Sequence, residues 1–231
     1  MTDNFEQIRS LLKFENEGDC YYVQLLRRQA DDPLIDGKKD PKYHGNMHSR
    51  SIKDYFIRSL EHFDDVKEDI IKLCEMFNVR AYIRLNKRTY KRIALVMLRH
   101  IAEQAASGET YSSPFHMIAS AAGTANCAGS DKTWIVDEDA EYLRYEDKIK
   151  AIIEQCEPTD RQKVVAVIPT KSGRHLITRP FNLQTFKTLW EKDLDLQTLE
   201  VLDIHKDNPT ILYVPGPDQC KTYDEVVNRE G

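Results

Sequence analysis

The sequence predicts an α/β protein of two lobes. Three observations predict it. Hydrophobic spacing switches repeatedly between alternation and a three-to-four-residue period, the switches fall at turn residues, and a Ser/Gly/Ala/Thr-rich stretch over 107–131 separates two such series. With 231 residues, 41% of them hydrophobic, the chain is long enough to bury a real core. The boundary at the small-residue stretch gives an N-terminal α/β lobe over 1–130 and a second lobe over 131–231.

In the first lobe, Tyr21 to Leu26 reads as a short strand. Residues 29–50, with Pro33, Gly37, Pro41 and Gly45 among many charges, read as a polar loop. A helix is expected over Ile52 to Phe77, where Phe63, Val66, Ile70, Leu73 and Phe77 recur on one face. Val79 to Leu85 alternates like a strand. Thr89 is placed to cap a following helix with Tyr90, Ile93, Met97 and Ile101 on one side.

The second lobe is more regular. Thr133 to Val136 is a strand, and Glu141 to Cys156 a helix burying Tyr145, Ile149, Ile152 and Cys156. Lys163 to Ile168 and Arg174 to Thr178 are strands joined by a Pro-Thr-Lys-Ser-Gly turn. Leu183 to Lys192 is a helix, and Leu199 to Ile204 and Thr210 to Val214 are strands. The order β-α-β-β-α-β plus one strand is the split βαβ, or RRM-like, arrangement, expected over about 131–217.

Bulk chemistry narrows the class. No apolar run approaches the roughly 20 residues of a membrane span, and residues 1–10 do not read as a secretory signal. The five cysteines are scattered, with no CxxC, which points to a reducing intracellular compartment and away from a disulfide framework or zinc knuckle. His44 and His48 have metal-like spacing but no second pair, and read as a solvated loop. Net charge is −5, so its distribution matters more than its sum. Residues 80–99 hold Arg80, Arg84, Lys87, Arg88, Lys91, Arg92 and Arg99 with no acidic residue among them. Arg27-Arg28 with Lys38-Lys39 form a smaller basic group. A run of one sign is commonly a solvated face; at a strand end and the next helix it also suits phosphates.

Three motifs in the second lobe carry chemistry. Asp137-Glu138-Asp139 ends an apolar strand, so the two aspartates share a side and repel unless a cation sits between them. The plainer reading is an acidic helix entry. Thr170-Lys171-Ser172-Gly173-Arg174-His175 collects hydroxyl, cation and imidazole groups in a turn, a phosphate-contacting set. An ordinary Ser-Gly hairpin explains part of it but not His175. Asp203 ends the apolar Val201 to Ile204 run, and in a split βαβ sheet it approaches Asp137 and Asp139; Asp207 is the alternative.

In order and placement these motifs resemble the archaeo-eukaryotic primase and primase-polymerase superfamily. Its RRM-like palm carries Asp-x-Asp after the first strand, a Ser-x-His-type motif around the third, and an Asp in or after the last. Here two residues, not one, separate Ser172 from His175, which leaves open which small residue takes the serine position. Ile211 to Gly216 is similar to the superfamily's apolar strand ending in Pro-Gly, and Val79 to Arg88 to the strand and basic turn of its N-terminal lobe. The resemblance spans about 79–217. It implies a nucleotidyltransferase in which Asp137, Asp139 and Asp203 (or Asp207) hold two Mg²⁺ or Mn²⁺ ions. Lys171, Ser172, Arg174 and His175 would hold a nucleoside triphosphate. Arg84, Lys87, Arg88, Lys91 and Arg92 would follow a single-stranded template. No GxxxxGK[ST] motor is present, so a helicase would be a separate partner. Two other classes stay open: a metal-dependent nuclease using the same carboxylates, and a non-catalytic nucleic-acid-binding module. The latter is disfavoured by the scarcity of sheet aromatics beyond Trp134 and Tyr213.

Overall fold

A computed structural model describes residues 1–32, 48–108, 113–124 and 132–216. The protein is mixed α/β, with helices and two antiparallel sheets, and it divides into two compact units. The first comprises Met1–Cys127 and Ile211–Gly231, the second Ala128–Thr210.

In the first unit a five-stranded sheet runs in the order β1-β9-β4-β2-β3. Its strands are β1 (Thr2–Asp3), β2 (Asp19–Arg28), β3 (Ser49–Ile57), β4 (Arg80–Thr89) and β9 (Thr210–Val214). The helices are α1 (Phe5–Arg9), α2 (Leu60–Phe77), α3 (Tyr90–Ser107) and α4 (Pro114–Thr124). β2 is flanked on both sides, and Cys20, Tyr22, Val23 and Leu25 are accordingly buried. The segment expected to begin a helix at Ile52 is strand as far as Ile57. Tyr55 and Ile57 alternate inward opposite Val23 and Tyr21, a period-two signal hidden beside the long helical one. The helix starts where Ser59 accepts a hydrogen bond from the His62 N–H, and stops at Asn78 in the left-handed conformation. Thr89 caps α3 as expected, accepting from the Arg92 N–H. The face of α3 differs from expectation. Ile93, Val96 and Met97 pack inward against Cys20, Tyr22 and α4, whereas Tyr90 and Ile101 stay exposed.

The second unit holds a four-stranded sheet in the order β6-β7-β5-β8. Its elements are β5 (Trp134–Asp139), α5 (Glu146–Gln155), β6 (Val164–Pro169), β7 (Gly173–Thr178), α6 (Leu183–Lys192) and β8 (Ile204–His205). β5 pairs antiparallel with both β7 and β8, and β6 with β7. Val136, Leu176, Ile149, Ile152, Phe186 and Trp190 form one core between the sheet and the two helices. α6 begins where Asn182 accepts from the N–H groups of Gln184 and Thr185. Three expectations are corrected here. The helix expected from Glu141 is a 3₁₀ turn over Ala140–Tyr145 before α5. The strand expected over 199–204 shrinks to two residues. The Trp190 indole and Tyr142 hydroxyl donate to the carbonyls of Leu199 and Glu200, which then serve no ladder. The last strand also leaves the second lobe: β9 lies between β1 and β4, where all five of its residues find cover.

Candidate functional site

The candidate site lies where β5 meets β7 and β8. The register sets Asp137 opposite His175, Glu138 opposite Arg174 and Asp139 opposite Gly173. On the other side the Asp137 N–H donates to the Asp203 carbonyl at 3.1 Å. Strand alternation sends Asp137 and Asp139 to one face and Glu138 to the other. Asp137 is 42% exposed, and its Oδ1 lies 3.4 Å from Nε2 of His175, which is 14% exposed. Nδ1 of His175 is 2.8 Å from the Thr210 hydroxyl. A carboxylate only accepts, so the contact directs an Nε2–H at Asp137, while Nδ1 and the Thr210 hydroxyl share the second hydrogen bond. The hydrogen bond from His175 holds the Asp137 carboxyl below the usual range; partial burial opposes it, and the charges of His175 and His205 add to it.

Glu138 points into the core. It is fully buried, and neither carboxylate oxygen has a hydrogen-bond partner among the described residues. Burial pushes it up to about 7, against the pull of Lys150 and Arg174. Across from it, Gly173 meets the carboxylate strand closely. A Cβ there would lie 2.0 Å from the Glu138 carbonyl oxygen, so only glycine lets the turn close on this strand. Thr170 seals the turn: its hydroxyl accepts from the Gly173 N–H, and its own N–H donates to the Gly173 carbonyl.

The turn presents Lys171 and Ser172 at the surface, while Arg174 is partly buried and ion-paired with Glu146. Glu146 also pairs with Lys150. Lys206 sits over the Trp134 ring at 5.3 Å. Asp203 is exposed, Asp207 half-buried. Among the described residues no group of three or more His, Cys, Asp or Glu side chains is arranged to hold a metal ion. The three-carboxylate centre is therefore not assembled: what joins Asp203 to Asp137 is its main chain. The Asp137/Asp139 pair alone has the hard oxygen donors and the number that Mg²⁺ uses when substrate phosphates complete its shell.

The basic segment departs most from expectation. Arg88, expected to face a template, has no exposed surface. Its guanidinium donates to the carbonyls of Ala122, Asn86 and Gly123. Lys87 is turned inward onto Asp19 at 2.8 Å and Glu15 at 3.0 Å. Burial works against its charge, but the hydrogen bonds to those carboxylates prevail and raise its pKa. Arg84 is half-buried on β4. Lys91 and Arg92 are exposed on the first turn of α3. In the second basic group Arg27 pairs with Asp32 and Arg28 lies over Tyr82; Lys38, Lys39 and His44 fall outside the described residues. The thiols of Cys74 and Cys156 are pushed up by burial, to about 12 and about 11. Sequence reasoning missed Thr210 and Glu138. Thr210 read only as the first residue of a strand, and the period-two alternation that paired Asp137 with Asp139 also sent Glu138 inward.

No protein-family model, curated protein or solved structure matches the chain. No described helix is long and apolar enough to cross a membrane.

Proposed function

We propose that the second unit is an RRM-like palm of the archaeo-eukaryotic primase type, adding nucleotides to a nucleic-acid 3′ end at the Asp137–His175 corner. The observation that carries this reading is the Asp137–His175 pairing across β5 and β7, with the ring steadied by Thr210. Strand order supports it too: β6-β7-β5-β8, with helices between β5 and β6 and between β7 and β8, is the split βαβ order.

In this reading Asp137 and Asp139 hold Mg²⁺ or Mn²⁺ together with the phosphates of the incoming nucleotide, and Asp203 or Asp207 completes the set only by side-chain movement. When bound, the metal offsets phosphate charge and promotes in-line attack by the 3′-hydroxyl. The chain's own groups do the rest. The His175 Nε2–H is a fixed donor toward an oxyanion beside Asp137. Lys171 and Ser172 offer a cation and a hydroxyl from the adjoining turn. Arg174, in register with Glu138 and ion-paired with Glu146, belongs to the opposite face of the sheet and is withdrawn from that role. Lys91 and Arg92, exposed on α3, are the residues of the basic segment that face a single-stranded template; Lys87 and Arg88 are withdrawn from that role, and Arg84 is half-buried on β4.

The test is nucleotide dependence. Wild-type protein with a labelled primed single strand, nucleoside triphosphates and Mn²⁺ or Mg²⁺ is expected to lengthen the primer. Shortening of the strand without nucleotide identifies a nuclease, and retention of the strand without either change identifies a binding module.

A further inference from the structure

The face by which α3 packs changes character along its length. Ile93, Val96 and Met97 lie against Cys20, Tyr22 and the alanines of α4. Three or four residues further on at each step, the same face carries His100, Gln104 and Ser107. α4 changes with it. Ala121 and Ala122 belong to the apolar end, whereas His116 and Ser120 stand at the polar one. Small apolar side chains let the helices close at the first end; at the second they border a cleft of about 360 Å³. Packing alone would favour apolar residues on both inner faces throughout.

The chemistry of the lining selects an occupant. A neutral imidazole, as in His100 and His116, both donates and accepts; the Gln104 carboxamide does the same, and Ser107 and Ser120 add hydroxyls. Buried Met117 supplies an apolar floor with a polarisable sulfur. The lining includes no lysine or arginine, and its one carboxylate, Glu103, is paired with Arg99 at 2.7 Å. A phosphate pocket gathers cations. A metal centre gathers His, Cys, Asp and Glu, and among the described residues no three are arranged to do so. The lining suits a flat, uncharged group with donors and acceptors on its edge and a polarisable face. A nucleobase has all three, and imidazoles stack on unpaired bases. The volume falls within the roughly 300–1,000 Å³ of small-ligand pockets, toward the lower end.

The flank of α3 favours a base carried on a strand over a free nucleoside. Arg92 and Arg99, both exposed, are seven residues and about 10 Å apart on one flank. Glu103, part of the cleft lining, continues that flank. Phosphates next to an inserted base find two cations along it.

We propose that the cleft between α3 and α4 is a pocket for one unstacked nucleobase of a single strand, with the strand's phosphates along the Arg92–Arg99 flank. The pocket belongs to the first unit and does not rest on nucleotidyl transfer at the second; a binding module would use it equally.

Fluorescence anisotropy of the full chain, without nucleotide or metal, tests it separately from primer extension. The probes are a labelled strand of twelve deoxyadenosines and an abasic strand of the same length and charge. The adenosine strand is expected to bind about tenfold tighter. His116→Ala removes one wall and Ser120→Leu fills the cleft, each at an exposed position. Each is expected to bring the adenosine strand down to the abasic level, leaving abasic binding, the circular dichroism spectrum and Tm unchanged. Arg92→Gln is expected to weaken both strands alike and to lower the log–log salt slope by about one. Three outcomes overturn the proposal: equal or no binding of the two wild-type probes, a tenfold margin that survives either cleft variant in a folded protein, or free adenosine bound as tightly as the strand.

Discussion

The acidic corner of the second unit and the basic segment of the first look alike as sequence: each gathers one sign of charge at the end of an apolar strand. The fold treats them in opposite ways. At the corner, Asp137 and His175 come together and remain partly open to solvent. In the segment, Lys87 is neutralised by Asp19 and Glu15, and Arg88 is sunk among main-chain carbonyls. A one-sign cluster is thus a poor guide to exposure, because its counter-charges and acceptors come from elsewhere in the chain. The absence of acidic residues within 80–99 says nothing about Glu15 or Asp19, which β2 and its preceding loop bring alongside.

The largest expected effect breaks this comparison at the basic end. Arg88→Ala strands the carbonyls of Asn86, Ala122 and Gly123 and leaves a cavity, with an expected loss of about 3 kcal/mol or more of stability. Urea unfolding measures it. A fully stable Arg88→Ala that has lost affinity for single strands would return Arg88 to the template surface.

Next is Glu138, the buried acid between the two open aspartates. Its native pKa, about 7, lies above the ordinary 4.5. Between those values the native state keeps a proton that the unfolded state has released, so stability falls as pH rises through this window. The contribution is complete below about 4.5 and lost above about 7. Glu138→Gln removes the dependence and is expected to stabilise the protein at pH 8 by on the order of 2 kcal/mol. Thermal melts of both proteins from pH 5 to 8 are expected to diverge at the alkaline end; parallel curves would mean that Glu138 is already ionised in the native state.

A smaller effect is expected at Thr210. Thr210→Val keeps the shape but removes the hydroxyl that steadies His175, with an expected stability change of about 1 kcal/mol and about tenfold slower incorporation. Thr210→Ser restores the hydroxyl and is expected to recover the rate. A Ser variant as slow as Val would reduce Thr210 to a packing residue.

What was legible in the sequence follows the same division. The Asp137–His175 meeting could be anticipated because β5 and β7 are well-patterned strands whose alternation fixes which residues share a face. α6 and the cap of α3 were legible from local chemistry: an Asn or Thr ahead of an amphipathic run. Other features depended on distant partners. β9 joins the first unit's sheet because its five residues are all buried between β1 and β4. Leu199 and Glu200 are not strand, and side chains of Trp190 and Tyr142 take their carbonyls. Neither contact leaves a periodic trace. The third carboxylate belongs with these: strand placement led to the expectation of the Asp203 side chain beside Asp137, whereas Asp203 meets Asp137 through its backbone carbonyl and, among the described residues, no metal-holding cluster includes it.

Asp137 serves either a reacting site, as proposed, or an acidic turn, and labelled-nucleotide incorporation by Asp137→Asn separates the two. The substitution removes a charge at a partly exposed position and is expected to leave the fold intact by circular dichroism. Incorporation on a primed single strand with Mn²⁺ is expected to fall on the order of a hundredfold or more. A folded Asp137→Asn protein that extends the primer at the wild-type rate would place Asp137 in an acidic turn with no part in nucleotide transfer.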